Sequence, residues 1–140
     1  RFARYFYVKA NVNWQRGFEE LDNGQVSPSR HVAPLFGRAS IGFDNGKLLA
    51  EVYTAFQAEC DAASMPEEEK GKTEIYAKDA NGNPYSPGWI TLNMRLSYLI
   101  LKGMHLHATL ENLTDRRYRP YSSGISAPGR NITFSLTYNL

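Results

Sequence analysis

Apolar and polar residues alternate one for one along much of this chain. From about Phe2 to Trp14, one register holds Phe2, Phe6, Val8, Ala10, Val12 and Trp14. The other holds Tyr5, Tyr7, Lys9, Asn11, Asn13 and Gln15. A period of two is what a strand produces, because successive side chains point to opposite faces. Arg4 interrupts the apolar register, and its long stem can carry the charge toward an interface. The pattern recurs from about Val32 to Phe43, Lys47 to Gln57, Trp89 to Ile100, Met104 to Asn112 and Arg130 to Leu140. It predicts six antiparallel strands and almost no helix.

The spaces between the strands have their own rhythm. Asp44-Asn45-Gly46 and Leu101-Lys102-Gly103 are tight turns, with residues that tolerate positive φ. The stretches 17–30, 58–88 and 113–129 are long and polar. The segment 58–88 reads as a loop of low regularity, with one helical turn near Met65 to Lys70. In an antiparallel sheet, alternate connections lie at opposite ends. All long loops therefore fall on one side and both turns on the other. Outer-membrane barrels have this asymmetry, with long extracellular loops and short periplasmic turns. Several strands also run to about ten residues, the length that crosses hydrocarbon at a tilt. Soluble strands more often have about five or six.

The expected fold class is therefore all-β, a segment of an antiparallel transmembrane barrel with its polar face toward the lumen. Tyr98 and Tyr138 fall at periplasmic strand ends on the lipid face, where aromatic girdles occur. Composition agrees. The chain has 140 residues, a net charge of +2, and nine Tyr, seven Phe and two Trp. No run approaches the roughly 18 apolar residues of a transmembrane helix. The modest charge gives no drive toward nucleic acid. The chain opens at Arg1 without a secretory leader, and the alternation already runs at Phe2, which reads as a fragment. Six strands close no barrel, since the smallest single-chain examples have eight. The remaining strands are expected upstream, one of them pairing with the outer edge of the last strand.

Candidate chemistry is sparse. His105, His107 and Glu111 share the polar face of one strand, where a row of such groups can hold a metal; ordinary lumen lining is the commoner outcome. No metal is therefore expected. Arg116, Arg117, Tyr118, Arg119 and Tyr121 form a basic, aromatic loop suited to an anionic ligand or to lipopolysaccharide, although such a loop more often caps a rim. Asp79, Asn81 and Asn83 begin like a calcium loop, but Pro84 and Ile90 stand where glycine and glutamate are needed. Cys60 has no companion for a disulfide or metal site. No nucleophile motif or phosphate loop appears, and neither enzyme activity nor a cofactor is expected.

One part of the chain is more specific. Glu111-Asn112-Leu113-Thr114-Asp115-Arg116-Arg117-Tyr118 leads out of the fifth long strand, and Ser126-Ala127-Pro128-Gly129-Arg130 opens the last. These segments resemble the C-terminus of TonB-dependent receptors, with Glu111, Asn112, Leu113, Asp115, Tyr118, Pro128, Gly129 and Arg130 as the signature. Ser86-Pro87-Gly88-Trp89 is similar to receptors of Bacteroidetes-like bacteria. The resemblance implies a plugged barrel of about 22 strands, in the bacterial outer membrane. It implies active uptake of an iron-siderophore, haem, cobalamin or a glycan. The implied partners are outer-membrane lipid, the rest of the barrel and its plug, TonB through that plug, and the barrel-assembly machinery. Phe134, Leu136, Tyr138 and Leu140 stand where the family carries its assembly signal, with Leu140 in place of the usual phenylalanine. The plug itself is not among these residues. A structural or enzymatic outer-membrane barrel of fewer strands, or a soluble ligand-binding β-module, would share the alternation but not the signature.

Overall fold

A computed structural model describes residues 4–139. In chain order the elements are β1 (Phe6–Asn13), β2 (Phe18–Glu20), β3 (Val26–Pro28), β4 (Phe36–Asp44), β5 (Leu48–Gln57), α1 (Glu67–Lys70), β6 (Ala77–Lys78), β7 (Pro84–Tyr85), β8 (Trp89–Leu101), β9 (Met104–Glu111) and β10 (Asn131–Tyr138). Six of them form one antiparallel sheet in the order β1-β4-β5-β8-β9-β10. Neighbours in the sheet are neighbours in the chain, apart from short hairpins within the loops. Both turns therefore lie at one end of the sheet and all three long loops at the other, as the spacing predicts. The sheet is open, with β1 and β10 at its edges.

The burial pattern is inverted relative to a water-soluble sheet. On β8, Thr91 and Asn93 are 3% and 5% exposed, whereas Ile90 is 58% exposed. On β5, Glu51 is buried and Val52 exposed. Soluble proteins bury the other set. Here the apolar register has nothing packed on it among the described residues. The second layer that a soluble β-module would need over that face is absent there. Along β10 both registers are exposed.

Several boundaries differ from the sequence reading. The first strand starts at Phe6, the second long strand at Phe36 rather than Val32, and the last runs Asn131–Tyr138. Phe2 and Leu140 lie outside the described residues. Arg4 precedes β1, and its guanidinium lies 5.1 Å from the Tyr5 ring centroid. At these ends alternation continues beyond the hydrogen-bonded ladder, so periodicity overestimates strand length there, whereas the Trp89 strand runs one residue further than expected, to Leu101. Ile100 is the extra residue of a bulge, where Leu99 faces His105 and Leu101 faces Met104. The bulge sits at the strand end, beside the Gly103 turn, where such irregularities collect.

The loops are more ordered than their composition suggests. The stretch 17–30 contains the β2–β3 hairpin, turned at Asn23-Gly24 with Gly24 at φ +79°. The stretch 58–88 contains α1, which coincides with the expected helical turn, and the β6–β7 hairpin. Pro66 precedes α1, and Glu67, Glu68 and Glu69 occupy its first turn, where acidic side chains suit the helix dipole. Asp79 accepts hydrogen bonds from the backbone N–H of Asn81 and Asn83, both 2.8 Å. The stretch that begins like a calcium loop is thus the turn of a hairpin.

Candidate functional site

The signature residues form a clasp between the end of β9 and the start of β10. Asn112 is buried and left-handed at φ 51°, a conformation asparagine tolerates better than most residues. Its backbone N–H donates to Asn93 Oδ1 at 2.8 Å. Its side-chain oxygen accepts the Arg116 N–H at 2.8 Å, and its amide nitrogen donates to the Arg116 carbonyl at 2.9 Å and the Pro128 carbonyl at 3.3 Å. Asp115 Oδ1 accepts the Arg130 N–H at 2.9 Å. A Cβ at Gly129 would stand 2.7 Å from that same oxygen, so glycine leaves room for the carboxylate. Leu113 donates its N–H to the Leu92 carbonyl. Glu111 receives a 3.4 Å hydrogen bond from Asn131. These residues hold the excursion 112–130 closed at its base; they present no reactive group.

Above the clasp, the basic aromatic residues do come together. Tyr118 stacks on Trp89 with ring centroids 4.2 Å apart. Arg116, Arg117, Tyr118 and Arg119 line a cavity of about 270 Å³, together with Glu74 and Trp89. Arg119 donates to the Glu74 carbonyl at 3.0 Å. Tyr121 turns away from this cavity into the neighbouring loop core.

That core consists of Cys60, Met65 and Tyr76, with Ile75 and Tyr121 packed against it. At its edge lies Glu69, 1% exposed, which binds the Lys72 ammonium and the Tyr76 hydroxyl and accepts from Ser122 Oγ at 3.3 Å. Arg30 ties β3 to α1 through Glu68 at 3.1 Å, and also pairs with Glu19. The three loops thus brace one another. Burial disfavours the Glu69 charge, but the bonds from Lys72 and Tyr76 outweigh it and hold the carboxyl below its ordinary range. Burial, with the Glu69 bond, pushes the Tyr76 hydroxyl well above its ordinary value. Burial also raises the Cys60 thiol above its ordinary value, and Cys60 packs in the loop core.

A pH dependence follows from Glu69. Its folded pKa lies below its unfolded value, so its stabilisation is complete above the unfolded value and is lost as pH falls through the folded one. Hydrogen exchange of the 58–88 backbone, corrected for the intrinsic pH effect, is expected to accelerate as pH drops below the usual carboxylate range. Glu69→Gln is expected to flatten that dependence and to exchange faster at neutral pH.

On the polar face of the sheet, one network spans four strands. Glu51 accepts from Tyr7 Oη at 2.7 Å and from Arg95 at 3.3 Å, and also binds Arg38. Gly42 sits between Tyr7 and Glu51 in the register, and the Tyr7 ring fills the space a side chain there would occupy. The Arg38 guanidinium lies 3.6 Å from the Tyr53 ring centroid. His105 and His107 stack at 6.0 Å on the same face, nearer the turn end. Glu111 is at the far end of β9, and no group of three His, Cys, Asp or Glu able to hold a metal occurs among the described residues. Phe134, Leu136 and Tyr138 lie exposed in the apolar register of the β10 edge strand.

Comparison with known proteins bears on this arrangement. No family model matches the chain, and no curated protein does. Solved structures do. The copper transporter OprC superposes over 98% of this chain with a TM-score of 0.74 and 16% identity. The siderophore receptor PiuA from Acinetobacter baumannii superposes over 98% with a TM-score of 0.59 and 13% identity. The chain shares the fold of a barrel-wall segment with these two proteins. At these identities the likeness is one of fold. The chain spans about a fifth of each neighbour, 21% and 20%. In such a barrel wall, the uncovered apolar register corresponds to the exterior and the Glu51 network to the inner face.

The sequence reading did not single out Tyr7, Arg38, Glu51 and Arg95 as a group. Each lies in the polar register of its own strand. Only the register between strands brings them together.

Proposed function

We propose that this chain forms part of the wall and outer loops of a TonB-dependent receptor, which imports a scarce nutrient across the bacterial outer membrane. The observation that carries the reading is the inverted sheet: apolar residues exposed and polar residues buried on antiparallel strands, with every long loop at one end. Once the remaining strands close the barrel, this arrangement satisfies the backbone in lipid and keeps the polar register out of it. The signature clasp supports it, since the residues that carry the resemblance are the ones that close the last loop at its base.

The loop end faces outward in this reading, and its braced loops receive the nutrient. Iron-siderophore complexes head the substrate list, ahead of haem, cobalamin and glycans, because a siderophore receptor is among the structural neighbours. Copper joins the list through the copper transporter. The remaining strands, the plug, TonB, the surrounding lipid and the assembly machinery act as partners of the whole receptor. Neither neighbour is an enzyme, and no catalytic role is assigned.

The test is uptake by cells carrying or lacking the full-length gene. Labelled iron-siderophore or copper is expected to enter only cells that carry it, and only with TonB present. Equal uptake without TonB for every nutrient on the list would overturn the reading.

A further inference from the structure

We propose that the cavity above the clasp is a receiving site for a soluble anionic ligand bearing one ring, such as a carboxylated or phosphorylated sugar or an aromatic acid. The inference rests on the outward orientation of the loops proposed above, and names the ligand chemistry of that end.

Charge comes first. Three arginines, Arg116, Arg117 and Arg119, line the cavity, with Glu74 as the one acidic residue among its lining. Arg119 is spent on a backbone carbonyl of Glu74, which fixes its position. The Arg116 and Arg117 side chains have no hydrogen-bond or ion-pair partner among the described residues. Unpaired guanidiniums beside a cavity match carboxylates and phosphates, which they hold through two parallel hydrogen bonds.

Shape comes second. The Trp89–Tyr118 pair supplies an aromatic wall against which a ring can lie. The volume, about 270 Å³, falls just under the usual range for small-molecule sites, about 300–1,000 Å³. It suits one ring with its acid groups, not a whole large chelate.

Position comes third. The site is built in advance of any ligand. Asn112 grips the backbone of Arg116 on both its N–H and its carbonyl. Trp89 belongs to the polar register of β8, together with the buried Thr91 and Asn93. The aromatic wall is thus on the inner side, away from the apolar register. A lipid headgroup in the outer leaflet does not reach it, so the ligand is soluble.

The test uses the full-length protein in detergent and reads tryptophan fluorescence and calorimetry. The probes are phthalate and glucose 6-phosphate, with glucose as the neutral control and lipid A vesicles as the membrane source. Binding of at least one soluble anion is expected, weakened by salt, with none for glucose. The Arg116→Gln/Arg117→Gln double variant is expected to weaken it at least tenfold. Arg116→Lys/Arg117→Lys is expected to recover part of the loss. The clasp holds Arg116 by its backbone, so neither pair removes it, and circular dichroism is expected to be unchanged. Wild-type protein that binds no soluble probe, binds only lipid A, or binds equally well with both arginines replaced would overturn the proposal. Binding is read without energised import. Failure here with TonB-dependent uptake intact would refute the site and leave the receptor reading standing.

Discussion

Replacing Asn112 with alanine is expected to open the loop between β9 and β10 while leaving the strands beneath it paired. The variant loses the side-chain bonds to the Arg116 N–H, the Arg116 carbonyl and the Pro128 carbonyl. Each such bond contributes a net of about 1 kcal/mol. Alanine at the left-handed φ of residue 112 adds a further ~1 kcal/mol, because its Cβ crowds the backbone there. The sum is about 3–4 kcal/mol, or roughly 10²-fold or more in local opening. Hydrogen exchange at the Arg116 and Arg130 amides is expected to accelerate by that factor. Amides in the middle of β9, such as Ala108, are expected to change little, since local openings need not involve the whole sheet. Asn112→Asp keeps an acceptor for the Arg116 N–H but loses both donated bonds, so it is expected to fall between the two.

The second large effect concerns Val52. It lies in the middle of β5, exposed on the apolar face between Ile41 and Met94. At an exposed site of a soluble protein, Val52→Arg would change stability by about 0.5 kcal/mol or less. On a lipid-facing strand near the bilayer midplane it costs about 2–4 kcal/mol. The account predicts the larger value for the full-length protein, measured by urea titration in lipid vesicles. Thr109→Arg, in the polar register of β9, is the control. It is expected to cost less than 1 kcal/mol, since lumen positions accept charge. Equal costs at the two positions would contradict the assignment of faces.

The strands were legible because alternation is a local property. Val52 beside Glu51, or Phe134 beside Ser135, announces the two faces without knowledge of any partner strand. Turns such as Asn45-Gly46 were legible for the same reason, since the φ of +85° at Gly46 follows from residue type. The Glu51 network was not. Tyr7 and Arg95 lie 44 residues from Glu51 on either side, and only the pairing of Gly42 with both Tyr7 and Glu51 aligns the row. The loop core around Met65 was missed because its order comes from tertiary contacts. Glu69, Tyr76 and Ser122 show no period, and β2 is only three residues long. The signature was visible as a motif, but its work was not. That Asn112 binds both its own loop and Pro128 emerges only when the loop closes.

The central claim is that the exposed apolar register faces lipid. Spin labels placed singly along β10 of the full-length protein in bilayers test it most directly, in a Cys60→Ser background. At positions 132, 134 and 136 the account predicts high collision rates with oxygen, which partitions into lipid, and low rates with a water-soluble nickel chelate. At positions 133, 135 and 137 it predicts the reverse, giving a period of two. Equal access of the chelate to both sets, or the opposite phase, would contradict it.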